Sequence, residues 1–587
     1  MGDGVTRGTS DTTGHAARGA WRVRIRSQGS DRIIGSGVLL GGDTVLTCAH
    51  VLVDRTSPVT VDFPEIEGAD SSTATVLDGC WVPPQGEDRG DVALLRLDRP
   101  PPGRPSAPLL RAAAMRGMRV DLCGYADSLR YVRGAALSAT VSLPFGERVQ
   151  LNLPPSHLPR RGFSGGPVLD MNDPPSVLGI TVTRYFDSAG PAPLAMAHMI
   201  PVETIVRHLP DVRPWVTGPP GVRPHLASSA STGRTTDFDY AERLAAWLGG
   251  GNPSPVHVTE VERGSGRDRT LQRALALADR ELSVDAPTVL STDPAETVPP
   301  VGSLDLAVDA RDATVDEVVA QVAERMNLKE PDPARALKRL RAGRMPLTVA
   351  LLGVNESAEP DRLLGLCGEF AERGCRLLLV FHGTGTRPGR ETEDDLALRH
   401  RMGALAERLD ALDARLRRLA RARARLAGVE PPGDAVTDLH MDLSLLRHAH
   451  RVGEGPTPRW TRAAQDRLER LERRTGRAER EADAAWETAR RGYERRAELR
   501  GELRTYRQLA VRHGRIEDVE LDRVYRAAHR ALYSGRFAAE DAAEAVAGYV
   551  DAVRRVLGWP PREPDGHGDG HGEPEGHAAG EEPEGRR

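Results

Sequence analysis

Nowhere in its 587 residues does the sequence hold a run of 18 apolar residues, about the least a helix needs to cross a bilayer, so no membrane span is expected. The first twenty residues are polar and Gly-rich, without an apolar segment, and no secretory leader is expected. Cysteine is scarce. The five present, Cys48, Cys80, Cys123, Cys367 and Cys375, make an odd number with no zinc-like spacing. They read as small buried apolar filler, and no metal or cofactor is expected. Neither sign of charge dominates: 80 basic against 84 acidic residues leave a net charge of -4, so nothing pulls the whole chain toward nucleic acid. Lysine is rare beside Ala, Arg, Gly and Pro, a usage found in GC-rich bacterial genomes.

Hydrophobic residues make up 39% and charged ones 28%, a globular balance on a chain too long for one core, so three or four domains are expected. The most informative stretch is Arg161-Gly162-Phe163-Ser164-Gly165-Gly166-Pro167. A serine hydroxyl is a poor nucleophile until a base takes its proton. Glycines beside it let the backbone turn its N–H groups inward, which places the amides of Gly162 and Ser164 to meet a developing oxyanion.

Two upstream stretches complete a pattern. Thr47-Cys48-Ala49-His50 follows an apolar run, and Asp91-Val92-Ala93-Leu94-Leu95-Arg96-Leu97 begins with an acid and continues as a strand. Histidine, aspartate and serine come in that order, with gaps of 41 and 73 residues. With these flanks, residues 20–212 resemble the chymotrypsin/trypsin-like serine peptidases, in their compact bacterial HtrA-like branch. The resemblance implies that Ser164 attacks a scissile carbonyl, His50 takes and returns its proton, and Asp91 holds the imidazole. It also implies two packed β-barrels with the site between them. Short alternating strands from Trp21 onward, separated by Gly/Pro turns, agree with that. Secreted animal trypsins carry a cysteine just after the histidine. Here Val51 stands there, a departure that favours a reduced, cytoplasmic protein. Leu158 stands six residues before Ser164, where trypsins place an acid, so a taste for Arg or Lys is not expected.

The rest divides by composition. Residues 1–19 are expected to be disordered, and 213–237, rich in Pro, Gly, Ser and Thr, to be a linker. Residues 238–387 read as an α/β domain with strands at Val256-His257-Val258-Thr259, Leu347 to Leu352 and Arg376 to Phe381. Gly264-Ser265-Gly266-Arg267-Asp268, between the first strand and a helix, resembles an eroded phosphate-binding loop of an NTPase. Arg267 and Asp268 replace its Lys and Ser/Thr, and of the metal-binding acids of such a domain only Glu356 remains. Residues 392–558 read as a long helical, coiled-coil region. One seam runs Met402, Leu405, Leu409, Leu412, Leu416 and Leu419; a second runs from Leu468 through Ala478, Ala482 and Ala489 to Leu503. The two helices pair as a hairpin, pair between chains, or belong to an ordinary bundle. Their arginines alternate with acids as on a solvated face, so nucleic acid is not an expected partner. Residues 559–587 read as a disordered acidic tail in which His567, His571 and His577 bind metal weakly at most.

The fold class expected is thus multidomain: an all-β double barrel, an α/β domain and a long α-helical coiled coil. The function expected is that of a serine endopeptidase acting on protein or peptide substrates, with regulatory or interaction domains behind it and self-association through the coiled coil. The alternatives are a non-catalytic peptide-binding scaffold and a nucleotide-driven switch.

Overall fold

A computed structural model describes residues 19–560, apart from 104, 127–134, 155–160, 187–193, 228–234, 236, 252–253, 284–292, 384, 386–389, 430–434, 453–461, 516–517 and 534–535. The expected N-terminal disorder up to residue 18, Leu158, the histidine tail and part of the expected linker lie outside the described residues.

Six antiparallel strands close the first barrel: β1 (Arg22–Ser27), β2 (Ile33–Gly41), β3 (Thr44–Thr47), β4 (Val59–Asp62), β5 (Ser72–Gln85) and β6 (Arg89–Leu97), in the order β1-β2-β3-β6-β5-β4. Strand periodicity explains β1, where Val23 and Ile25 are buried while Arg24 and Arg26, alternating with them, donate to Asp62 from the other face. The second barrel follows β7 (Leu109–Leu110). It uses β8 (Arg119–Gly124), β9 (Ala135–Phe145), β10 (Arg148–Asn152), β11 (Pro167–Leu169), β12 (Val177–Phe186) and β13 (Leu194–Pro201). The ring β11-β8-β9-β10-β13-β12 closes where β11 pairs with β12. Helix α1 (Val202–His208) follows directly.

The expected linker is not free chain where it is described. Its residues Val216–Thr217 form β14, pairing in parallel with Leu109 and Leu110, and Val222 is fully buried in the core of the next domain. Pro and Gly set the composition of this stretch, but two valines are enough to seat it against both neighbours.

The α/β domain is a four-stranded, all-parallel sheet: β15 (Val256–Val261), β16 (Leu306–Asp309), β17 (Thr348–Leu352) and β18 (Arg376–His382), in the order β15-β18-β17-β16. Helices α2 (Phe238–Leu248), α3 (Gly266–Ala278), α4 (Val315–Arg325), α5 (Pro333–Ala342) and α6 (Pro360–Glu372) accompany it. Successive residues of β17 and β18 serve opposite faces: Val349, Leu351, Leu377 and Leu379 enter one core, and Ala350, Leu352, Leu378 and Val380 another. A sheet covered on both faces needs unbroken apolar runs, and this is why these strands were legible.

The helices that follow are α7 (Arg390–Arg423), α8 (Ala435–Val452), α9 (Arg462–Arg512), α10 (Val519–Tyr533) and α11 (Ala539–Val556). The chain forms two compact units, Met1–Ala406 with Leu445–Leu468, and Glu407–Ser444 with Glu469–Arg587. In the second, Leu412 and Leu419 share a core with Ala478, Ala482 and Ala489. Arg408 pairs with Glu479 at 2.6 Å, Arg415 with Asp483, and Leu426 lies against Gly492. The partner positions advance together, so α7 and α9 run side by side in the same direction. The hairpin alternative is thereby corrected: α8 lies between them in sequence and carries Asp442 to Arg474 at 2.8 Å. Arginines of α9 pair along their own helix, as Arg477 with Glu481 and Arg490 with Glu494.

The two barrels and the α/β domain share the first unit and meet through polar groups and through Ala113, which is buried in the α/β core. Ala113 N donates to Arg325 O at 3.0 Å, and the connecting stretch is tied to the α/β sheet where Ala307 N donates to Gly221 O at 2.8 Å. Arg325 and Glu203 form an ion pair at 2.7 Å with side chains 5% and 3% exposed. Nearby, burial pushes the Asp279 carboxyl up to about 6, against the pull of the Leu282 amide and the Arg325 guanidinium. The folded chain therefore keeps a proton that the unfolded chain has already released. Stability falls as pH rises from about 4 to about 6 and levels off above. Asp279→Asn is expected to flatten that slope and to raise stability at pH 7 by about 2 kcal/mol, read from urea unfolding at pH 4.5 and pH 7.

Candidate active site

His50 sits on the single 3-10 turn Ala49–Val51 that leaves β3, and Asp91 sits near the start of β6. The pairing of β3 with β6 sets Thr47 opposite Ala93, which brings the two together. Asp91 holds the histidine twice. Its Oδ1 accepts from the His50 backbone N–H at 3.0 Å, and its carboxylate lies 2.8 and 2.9 Å from Nδ1. An ionised carboxylate only accepts, so Nδ1 carries the proton and Nε2 is left as the basic nitrogen. Asp91 is 2% exposed, whereas the His50 side chain is 35% exposed. Asp91 has φ +78° and follows Gly90 at +62°, a backbone shape that ordinary residues rarely take. Arg148, fully buried on β10, places its Nη2 3.5 Å from Asp91.

Ser164 lies on the turn before β11. Gly162 has φ +103°, and a Cβ there would stand 2.1 Å from Tyr125 O. Gly165 has φ +83°, and a Cβ there would stand 2.2 Å from Ser36 O. Only glycine fits either position. Ser36, on β2, ties the turn down: its N–H donates to Ser164 O at 2.8 Å and its hydroxyl to Gly162 O at 2.6 Å. The Gly165 amide and the Cys48 thiol share one acceptor, Thr181 O, so the serine turn abuts the chain just before His50. Among the described residues, neither the Gly162 nor the Ser164 amide donates a hydrogen bond.

Ser164 Oγ accepts from the Thr183 amide at 3.3 Å, and among the described residues it makes no hydrogen bond with His50. The hydroxyl thus rests on β12, and the structure joins His50 to Asp91 without joining His50 to Ser164. Sequence reasoning missed Ser36, Arg148 and Thr183. Each reaches the site from another strand of the barrels, and no local motif marks it.

Cys48, His50 and Asp91 hold potential metal-ligating atoms within 4.8 Å of one another. The set suits a cation poorly. Burial first, and then the Asp91 charge, push the Cys48 thiol well above its ordinary pKa, and its proton is engaged with Thr181 O.

The phosphate-loop-like stretch is filled by its own side chains. Asp268 Oδ2 accepts from Gly264 N at 2.9 Å, and Ser265 Oγ caps α3 by accepting from Asp268 N at 3.1 Å. A carboxylate stands against the amide that would face a phosphate. Glu356, at the C-terminal edge of the sheet, bonds His382 Nδ1 at 2.9 Å and Arg263.

Residues 35–180 match the family described as trypsin-like peptidase domain. Comparison with curated proteins finds no match. Similar solved structures include the MamO protease domain from Magnetospirillum magneticum in its apo form, at 18% identity over 33% of this chain and 98% of that one, with a TM-score of 0.25. Kallikrein-related peptidase 10 shares 21% identity over 31% of this chain and 88% of its own, at 0.24. Rv3671c from M. tuberculosis H37Rv, a serine-to-alanine mutant in an inactive form, shares 20% over 36% and 98%, at 0.24. The N-terminal region of this chain, over residues 35–180, is a trypsin-like peptidase domain.

Proposed function

We propose that the chain is a serine endopeptidase whose nucleophile is Ser164, with His50 as general base and Asp91 as its anchor. The observation that carries this is the double hold of Asp91 on His50, because it fixes the tautomer a base needs. Turnover begins when Ser164 Oγ rotates away from the Thr183 amide toward Nε2. His50 then takes the hydroxyl proton as Oγ attacks the carbonyl carbon of a peptide bond. The negative oxygen meets the amides of Gly162 and Ser164. His50 gives its proton to the leaving amine, and water resolves the acyl-enzyme by the same steps.

The test is cleavage of an unstructured protein such as casein by the purified chain. His50→Ala is expected to lower turnover by about 10⁴-fold or more. A second reading, a peptide-binding barrel that assembles partners without cleaving them, draws on the Ser164–Thr183 hydrogen bond. It predicts equal, background cleavage from both proteins.

A further inference from the structure

We propose that the α/β domain is a working part of the peptidase site, with Arg280 as a positioning residue that acts on Asp91 through the β9–β10 turn. The inference rests on the peptidase reading above. The turn, residues 146–148, clamps the segment that carries Asp91 at four places. Glu147 N donates to Asp88 O at 3.2 Å, and Glu147 Oε2 accepts from the Gly90 amide at 3.2 Å. Arg148 Nη2 donates to Arg89 O at 3.3 Å and stands 3.5 Å from the Asp91 carboxylate. Gly146, at φ +57°, admits Asp88 so closely that a Cβ would lie 2.1 Å from its Oδ2.

Two consecutive residues with positive φ, Gly90 and Asp91, hold their shape only when their surroundings over-determine it. The clamp supplies that constraint, and it is fixed in turn from outside the barrels. Arg280, just beyond α3, donates to Glu147 O at 3.1 Å, an acceptor that also receives Thr204 Oγ1 of α1 at 3.0 Å. The Glu147 carboxylate is held by the same helix, through His208 at 2.6 Å and Arg207 at 3.1 Å. The α/β domain holds that helix too, through the buried Arg325–Glu203 pair. The place for Arg280 is built rather than incidental: at Gly302 a Cβ would stand 2.2 Å from the guanidinium carbon. One arginine of the second domain is thus two contacts from the residue next to Asp91.

Asp91 acts only if its carboxylate stays on Nδ1 of His50. Loosening the clamp shifts that carboxylate and leaves substrate binding alone. Arg280→Met is therefore expected to lower kcat about 10- to 100-fold with KM within about twofold, and Arg280→Lys, which can still donate to the carbonyl, to recover most of the loss. Hydrogen–deuterium exchange on the full chain supplies a readout that needs no turnover. The peptide containing Gly90 and Asp91 should exchange faster in Arg280→Met, and the core of β2 should not. A wild-type chain that cleaves, beside an Arg280→Met chain with unchanged kcat or unchanged exchange at Gly90, overturns the inference and leaves the peptidase reading standing. A wild-type chain that cleaves nothing overturns both. Faster exchange throughout both barrels assigns Arg280 to stability alone and also overturns it.

Discussion

Ser164→Ala is expected to reduce cleavage to background while leaving the fold intact. The substitution removes one oxygen whose hydrogen bond, among the described residues, is a single long one, from the Thr183 amide at 3.3 Å. That amide, between two buried residues, loses a weak partner, a cost of about 1 kcal/mol. The turn itself is held by backbone: Ser36 N to Ser164 O, Gly165 N to Thr181 O and Thr181 N to Gly166 O, all between 2.7 and 2.8 Å. None of these depends on the side chain. Loss of the nucleophile, by contrast, removes the acyl-enzyme route altogether, an effect of about 10⁶-fold where a triad acts as a unit. Cleavage of a labelled polypeptide, followed beside a thermal melt, separates the two. A large fall in rate beside a fall of at most a few degrees in melting temperature is the expected pair.

Asp91→Asn is the second large effect, expected at about 10⁴-fold in kcat with KM little changed. The amide oxygen can still accept from the His50 backbone N–H, so the turn survives. The ring does not fare as well. An amide NH₂ aimed at Nδ1 favours the tautomer with its proton on Nε2, and Nε2 then has no lone pair for the Ser164 proton. The buried Arg148, 3.5 Å away, also loses the charge it faces. Removing one partner of a buried pair costs about 3 kcal/mol or more, so this variant should melt earlier than Ser164→Ala. Steady-state kinetics with the same polypeptide, together with unfolding, reads both outcomes.

What was legible in the sequence was what local chemistry dictates. The Gly-rich frame around Ser164 is forced by backbone angles and by carbonyls about 2 Å from where a Cβ would stand, so its composition shows in the letters. The apolar runs of β17 and β18 are forced by burial on both faces. The C-terminal part of the leucine seam of α7, Leu412 to Leu419, and the alanine seam of α9 are forced by their meeting in one core. β16 escaped notice because it is four residues ending in an acid, Leu306–Asp309, at the edge of its sheet. The direction in which α7 and α9 run past one another also escaped, because spacing along one helix carries no sign for its partner. The contacts that hold Asp91 were the least legible. Arg148 and Glu147 lie 57 and 56 residues beyond it, and Arg280 lies 189 residues beyond, joined only by the closure of the second barrel and the docking of the α/β domain.

The measurement that bears most directly on the account is labelling of the intact chain with a fluorophosphonate, mapped by peptide mass spectrometry. The reagent reacts with a serine only when a neighbouring base has activated it. The account predicts one modified peptide, carrying the label on Ser164, and its loss in His50→Ala. A folded wild-type chain that takes no label, or takes it equally well without His50, would contradict the claim that Ser164, His50 and Asp91 work as one unit.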